Sequence, residues 1–160
     1  MSHLLRSERD TERAGALLAE HCRPGDFVAL EGDLGAGKTC LVRGLVDRLG
    51  LIDAERVTSP TFALIHRYRV RGPLKEVAHI DLYRLQGVDE LESTGYWDVV
   101  AEAGLTVVEW IDRIPAAVAS REPWWLRLSH RGDTRVLEVV EGPEGRVGAV
   151  RAALEAALLA

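Results

Sequence analysis

The chain has 160 residues, of which 47% are hydrophobic and 28% charged, the balance of an ordinary soluble globular protein with core enough for one domain. Its formal net charge of −5 excludes a broadly basic nucleic-acid-binding surface, so any contact with nucleic acid has to come from a local patch or through a partner. The two cysteines, Cys22 and Cys40, read as reduced thiols of a cytoplasmic protein; MSHLLRSERDTER turns charged too soon for a signal peptide, and no apolar run approaches membrane-spanning length.

Ala14, Leu17, Leu18 and His21 stand at helical spacing and predict a helix from about Asp10 to Cys22, with Ser7 or Asp10 as its cap. Pro24-Gly25-Asp26 then breaks the chain. Phe27 to Glu31 (FVALE) reads as a short apolar strand, followed by a glycine-rich loop and a helix over Lys38 to Leu49 that Gly50 can end. Thr61 to Val70 and Leu74 to Leu82 read as two strands of a hairpin turning at Arg71-Gly72-Pro73. Val88 to Ala103 carries Leu91, Tyr96, Val99 and Val100 as a helix would, and Leu105 to Ile111 (LTVVEWI) reads as a buried strand. A second hairpin joins Trp124–Ser129 to Thr134–Val140, and Val147, Val150, Leu154 and Leu158 stripe a last helix. No repeat or linker divides the chain, so 1–160 reads as one domain. The expected fold is α/β: a mixed sheet with antiparallel hairpins, flanked by helices.

The sharpest motif is Gly32-Asp33-Leu34-Gly35-Ala36-Gly37-Lys38-Thr39, which fits GxxxxGK[ST] with a strand before it and a helix after. Glycines let such a backbone turn tightly and bring its N–H groups to phosphate oxygens, and the free amides of the following helix favour an anion. In this P-loop reading Lys38 reaches the β- and γ-phosphates of a nucleotide and the Thr39 hydroxyl ligates Mg²⁺. Two carboxylates at strand ends are the candidates for holding the metal and orienting the attacking water: Asp81, ending VAHID, and Glu109, ending LTVVE. Ser59-Pro60-Thr61, between the P-loop helix and the next strand, is placed as a switch segment is, though a plain strand-initiating loop reads as well.

Several other residues have two readings each. His79 can orient Asp81, two residues on, or be a satisfied core histidine. Trp110 can lie near the nucleotide, at a partner surface or in the core. Trp124 and Trp125 point to opposite faces of their strand. Arg84 can stabilise charge or pair with a carboxylate, and Arg67, Arg69 and Arg71 can meet an acidic partner or tRNA, or simply be a solvated edge.

Taken together, GDLGAGKT at 32–39, VTSPTF at 57–62, HIDLYRL at 79–85 and VEW at 108–110 resemble the bacterial TsaE (YjeE) family, whose motifs occur in this order within the first two-thirds of the chain. The resemblance implies a P-loop NTPase fold and an ATPase required for threonylcarbamoyladenosine formation in tRNA, with ATP and Mg²⁺ as its cofactors. It implies the TsaB–TsaD pair as partner, with tRNA reached through that complex and neither DNA nor membrane involved. It implies catalytic roles for Lys38, Asp81 and Glu109, and a metal site of Thr39, Asp81 and Glu109. Nucleotide contacts are implied along 33–40, meaning Asp33, Leu34, Gly35, Ala36, Gly37, Lys38, Thr39 and Cys40. Thr61 belongs to the switch, and Thr11 and the Gly132 hairpin are expected near the base or ribose. Cys40 replaces the second threonine that many members carry.

Two other functions share the P-loop. A small-molecule kinase needs an acceptor pocket and usually an arginine-rich lid, of which the sequence shows no sign. A nucleotide-sensing module without turnover shares most of the same residues. A GTPase is disfavoured because the Asn-Lys-x-Asp guanine-reading motif is absent.

Overall fold

The computed structural model describes residues 1–159. It opens with strand β1 (Ser2–Leu5), too short at four residues for its alternation to announce it, which exists by pairing antiparallel with a strand near the other end of the chain. Helix α1 (Glu8–Ala19) starts at Ser7, whose hydroxyl accepts from the Asp10 N–H at 3.1 Å, while Asp10 accepts in return from the Arg6 N–H at 2.8 Å. It ends at Ala19 rather than near Cys22, because the His21 and Cys22 amides tighten to carbonyls three residues back as Pro24 approaches. Strand β2 (Asp26–Glu31) and helix α2 (Lys38–Leu49) follow, the latter closed by Gly50 at φ 89°. Then come β3 (Ile65–Arg69), β4 (Glu76–Asp81), α3 (Val88–Ser93), α4 (Tyr96–Glu102), β5 (Leu105–Glu109), β6 (Trp124–Arg131), β7 (Thr134–Glu141) and α5 (Val147–Leu158), with short 3₁₀ turns at Ile111–Arg113 and Pro115–Ala117.

Beyond shifts of a residue or two at strand and helix ends, three stretches differ from expectation. The stretch 88–103 is two helices, because Gly95 adopts the left-handed conformation at φ 79° and starts a new one. The strand expected from Thr61 begins only at Ile65, residues 61–63 forming a turn closed by the Leu64 N–H to the Pro60 carbonyl. LTVVEWI stops at Glu109, since Trp110 turns the chain at φ 60°.

The strands form one seven-stranded sheet in the order β1-β7-β6-β2-β5-β4-β3. Strands β6, β2, β5 and β4 are mutually parallel, and β3, β7 and β1 add antiparallel edges. Asp81 therefore ends a parallel strand, despite its hairpin with β3. One face packs Val28, Leu30, Val107 and Trp124 against Leu18, Leu41, Leu45, Val150 and Leu154 from α1, α2 and α5. The other packs Phe27, Ala29, Ile80 and Val108 against Leu91, Tyr96, Ile111 and Ile114. Trp124 and Trp125 do split between these faces, Trp124 fully buried and Trp125 donating its indole N–H to Glu31 at 2.9 Å. Arg67 and Arg69 pair with Glu76 and Asp53 along the exposed β3 edge, the solvated reading of that stripe.

Two glycines set how α1 and α2 meet. A Cβ on Gly15 would lie 2.0 Å from the Leu41 carbonyl oxygen, and one on Gly44 only 1.9 Å from that of Glu12. Backbone meets backbone at both points, so the two helices cross at a distance no other residue permits. The last helix is tied down differently. Arg146, just before α5, grips Asp26 at the start of β2 with two hydrogen bonds of 2.6 and 2.9 Å, and Asp26 also accepts from the Trp124 indole and the Arg23 N–H. Burial pushes the Asp26 carboxyl up, but the Arg146, Arg23 and Trp124 hydrogen bonds outweigh it and hold the group below its usual range.

Arg146→Ala, which leaves that half-buried carboxylate without its cation, is expected to cost about 3 kcal/mol of stability at neutral pH. Because the folded Asp26 value is depressed, the contribution is present above the ordinary value of 3.8 and is lost as pH falls through the lower folded value. Urea denaturation of both proteins between pH 7 and pH 2 checks this: the gap between them should be flat near neutrality and close in acid.

Candidate functional site

Residues Gly32 to Gly37 wrap between the carboxyl end of β2 and the first turn of α2. Gly35 and Gly37 take left-handed conformations at φ 77° and 106°, and Gly37 is the N-cap of α2, with no side chain to occupy the amides that open the helix. A Cβ on Gly37 would lie 3.3 Å from Arg135 Cδ and 3.4 Å from Thr11 Cγ2, so the loop is braced between α1 and the β6–β7 hairpin. Ala36 is fully buried and pins the loop, whereas Leu34, 79% exposed, stands at its crest beside exposed Asp33.

Lys38 is buried within the loop it follows, 5% exposed. Its ammonium donates to the carbonyls of Gly32 and Asp33, the latter at 2.9 Å, and lies 4.0 Å from the centroid of the Trp110 ring. The wrapped loop supplies the acceptors that make this burial tolerable. Burial lowers the lysine's proton affinity, opposed by the nearby charges of Glu109, Asp81, Asp112 and Asp33.

The two carboxylates sit in register. Leu30 of β2 pairs with Glu109 of β5, which pairs with Asp81 of β4, so both acids emerge at the level where β2 enters the glycine loop. The Thr39 hydroxyl lies 3.2 and 3.1 Å from the two Glu109 oxygens and donates to that carboxylate. His79 contacts Glu109 Oε2 through Nε2 at 2.5 Å, so it orients Glu109 and not Asp81 as one reading of the sequence had it. Asp81 is held otherwise: Oδ2 accepts from Ser59 at 3.1 Å and Thr61 at 2.8 Å, and Oδ1 accepts from the Tyr83 N–H at 2.8 Å. Both acids are 2% exposed.

These groups open onto a cavity of about 360 Å³, of the size small-ligand clefts take. Leu34, Gly35, Gly37, Lys38, Thr39, Cys40, Thr61, Asp81 and Glu109 all line it, and so do Glu8, Arg43, Ser59, Trp110 and Arg135. Asp33, Ala36, Thr11 and Gly132 do not. Thr11 is buried beneath Gly37 with its hydroxyl bonded to the Ser7 carbonyl, and Gly132 is at the open tip of its hairpin. Arg135, on the return strand of the same hairpin, is the hairpin residue that lines the cavity, its Nε donating to the Gly35 carbonyl at 3.4 Å. Its register partner is His130, one step from the Arg131↔Thr134 pair that closes the turn.

The donor set suits the groups that the motif implies. Among the described residues no three His, Cys, Asp or Glu side chains gather as metal ligands. A hydroxyl and one or two carboxylates are what Mg²⁺ takes from a protein when phosphate and water complete its shell, and the amides of a glycine-built helix N-terminus suit phosphate.

A mixed α/β sheet with a parallel centre, a glycine loop running from its central strand into a helix, and lysine, threonine and two acids at the strand ends defines a P-loop protein. Residues 5–137 match the family described as threonylcarbamoyl adenosine biosynthesis protein TsaE, and the chain belongs to this family of tRNA threonylcarbamoyladenosine biosynthesis proteins. The TsaE of Treponema pallidum is 40% identical over 109 residues, 68% of this chain and 77% of that protein. The TsaE of Haemophilus influenzae is 39% identical over 127 residues, 79% of this chain and 77% of its own. The crystal structure of YdiB from Bacillus subtilis superposes with a TM-score of 0.71 at 25% identity, covering 98% of this chain and 95% of that one. Among the described residues no helix is long and apolar enough to cross a membrane.

His79→Leu removes the buried partner of the Glu109 carboxylate, and stability is expected to fall by about 2 kcal/mol. Equilibrium denaturation measures it; a loss within about 0.5 kcal/mol means that Thr39 alone satisfies Glu109.

Proposed function

We propose that this protein binds ATP with Mg²⁺ and hydrolyses it slowly by itself, and faster in complex with the TsaB–TsaD pair, in support of threonylcarbamoyladenosine formation in tRNA. One observation carries the reading: Lys38, Thr39, Glu109 and Asp81 converge on one cavity at the aligned carboxyl ends of three parallel strands. Bound Mg²⁺ would neutralise charge on the β- and γ-phosphates. Thr39 and Glu109 are the groups to hold it, since they already face each other from rigid elements. Lys38, released from the Gly32 and Asp33 carbonyls, delivers its charge to phosphate. Asp81 orients the attacking water, because it is tied through Ser59 and Thr61 to the segment beside the cavity. Arg135 and Glu8, which line the same cavity from β7 and α1, would face the nucleoside end. The arginines that line the cavity, Arg43 and Arg135, come from α2 and β7 rather than from the segments that hold Asp81, and a group supplied in trans or an ordered switch can raise turnover by orders of magnitude.

Calorimetric titration tests the nucleotide: ATP should bind more tightly than GTP, and equal or tighter GTP binding overturns the preference. Lys38→Ala should weaken ATP binding at least tenfold with the fold intact by circular dichroism, the loss of a charge-assisted contact worth about 1.5–3 kcal/mol.

The carboxylates separate in a further experiment. Glu109→Gln should weaken Mg²⁺-dependent ATP binding and turnover together, whereas Asp81→Asn should lower single-turnover hydrolysis with little change in affinity. Magnesium titrations of both variants decide: loss of magnesium affinity in Asp81→Asn alone reverses the roles. Phosphate release unchanged by the TsaB–TsaD pair removes the partnership.

A further inference from the structure

Beside the cavity lies an assembly that phosphate chemistry does not use. Phe62 is 83% exposed, and the Arg84 guanidinium lies 4.1 Å from its ring centroid. Tyr83, 41% exposed, packs on Trp110 with centroids 4.9 Å apart, and Arg113 lies over the Tyr83 ring at 5.1 Å. The covalent neighbours matter. Phe62 follows Thr61 and Arg84 follows Tyr83, and Thr61 and Tyr83 supply hydrogen bonds to the two oxygens of Asp81. The Phe62–Arg84 stack therefore closes, on the outside of the protein, a ring of contacts with Asp81 on its inside.

Arg84 and Arg113, like most arginines of the chain, have no carboxylate within 4.0 Å among the described residues, but these two cover the faces of exposed rings, Phe62 and Tyr83. Two free guanidinium groups beside largely bare rings complement a carboxylate next to an apolar side chain. Exposed rings flanked by arginine also fit an unpaired base, but Asp112 adjoins Arg113 in the chain, Asp89 and Glu90 follow close on Arg84, and the whole chain carries −5, which disfavours a phosphate backbone.

We propose that Phe62, Arg84 and Arg113 form the docking surface for a partner protein that presents a carboxylate beside an apolar side chain, and that engagement there sets the position of Asp81. The inference rests on the ATPase reading above and names the surface through which a partner reaches that site. Docking that clamps Phe62 against Arg84 fixes Thr61 and Tyr83, and so fixes the carboxylate that they hold.

The test uses the full chain with Phe62→Ser, Arg84→Glu and the conservative Phe62→Tyr. Each is titrated with the TsaB–TsaD pair in Mg²⁺ and ATP, with ATP alone, and with an anticodon stem-loop RNA. Phe62→Ser and Arg84→Glu should bind the pair about tenfold or more weakly and lose its stimulation of turnover, and Phe62→Tyr should keep both. All three should bind ATP as the unaltered protein does. If the unaltered protein binds the pair and all variants match it, the docking surface is overturned and the ATPase reading stands. If the unaltered protein does not bind the pair, the partnership falls and this surface with it. Loss of ATP affinity in Phe62→Ser assigns these residues to the nucleotide site instead, and loss of stem-loop binding with the pair retained makes the surface a base-stacking one; either result overturns the proposal.

Discussion

Everything at the site depends on one register. Parallel pairing sets Leu30, Glu109 and Asp81 side by side on β2, β5 and β4, so two acids and the start of the glycine loop share one level of the sheet. A slip of one residue in β5 would send Glu109 to the opposite face, away from Thr39. The alternation of Leu105 and Val107 on one face with Val108 on the other makes such a slip bury nothing useful, so hydrophobic packing fixes the chemistry. The acids are nearly inaccessible, and each is kept tolerable by donors, His79 and Thr39 for Glu109, and Ser59, Thr61 and Tyr83 for Asp81.

The loop itself is held from both sides. Helix α1 approaches α2 through Gly15 and Gly44, which brings Thr11 under Gly37, and the hairpin brings Arg135 against the same glycine. The phosphate-loop backbone is thereby clamped between elements from the beginning and the end of the chain. The Ser59–Leu64 segment is held more lightly, by hydroxyls on Asp81 and by the Leu64 carbonyl accepting the Asp81 N–H at 3.0 Å.

Much of this was legible in the sequence. GDLGAGKT between an apolar strand and a helix fixes both a local fold and a chemistry, and acids ending VAHID and LTVVE mark strand termini. What escaped has physical reasons. Strand β1 is made by its long-range pairing, and the break at Gly95 is one glycine inside an otherwise helical pattern. The burial of Lys38 depends on where loop carbonyls point, which no residue type reveals. His79 serves Glu109 because β4 and β5 are neighbours in space, a fact of sheet order rather than of spacing along β4. Arg135 lines the cavity, and Gly132 does not, for the same kind of reason: the hairpin carries its side chain to a loop 100 residues earlier.

The strand order also sets a timetable for synthesis. Strand β2 leaves the ribosome early, but its two neighbours in the sheet, β5 and β6, begin only at Leu105 and Trp124. The grip of Arg146 on Asp26 spans 120 residues, and β1 waits for β7. A nascent chain therefore carries the apolar run FVALE with neither edge paired until β5 has emerged, and with one edge open until β6 follows. Contacts this distant in sequence are slow to form, and an unpaired apolar strand is the surface on which chains aggregate. During that interval the glycine loop lacks the hairpin that braces it, so competence to cradle a phosphate arrives only as the C-terminal third docks.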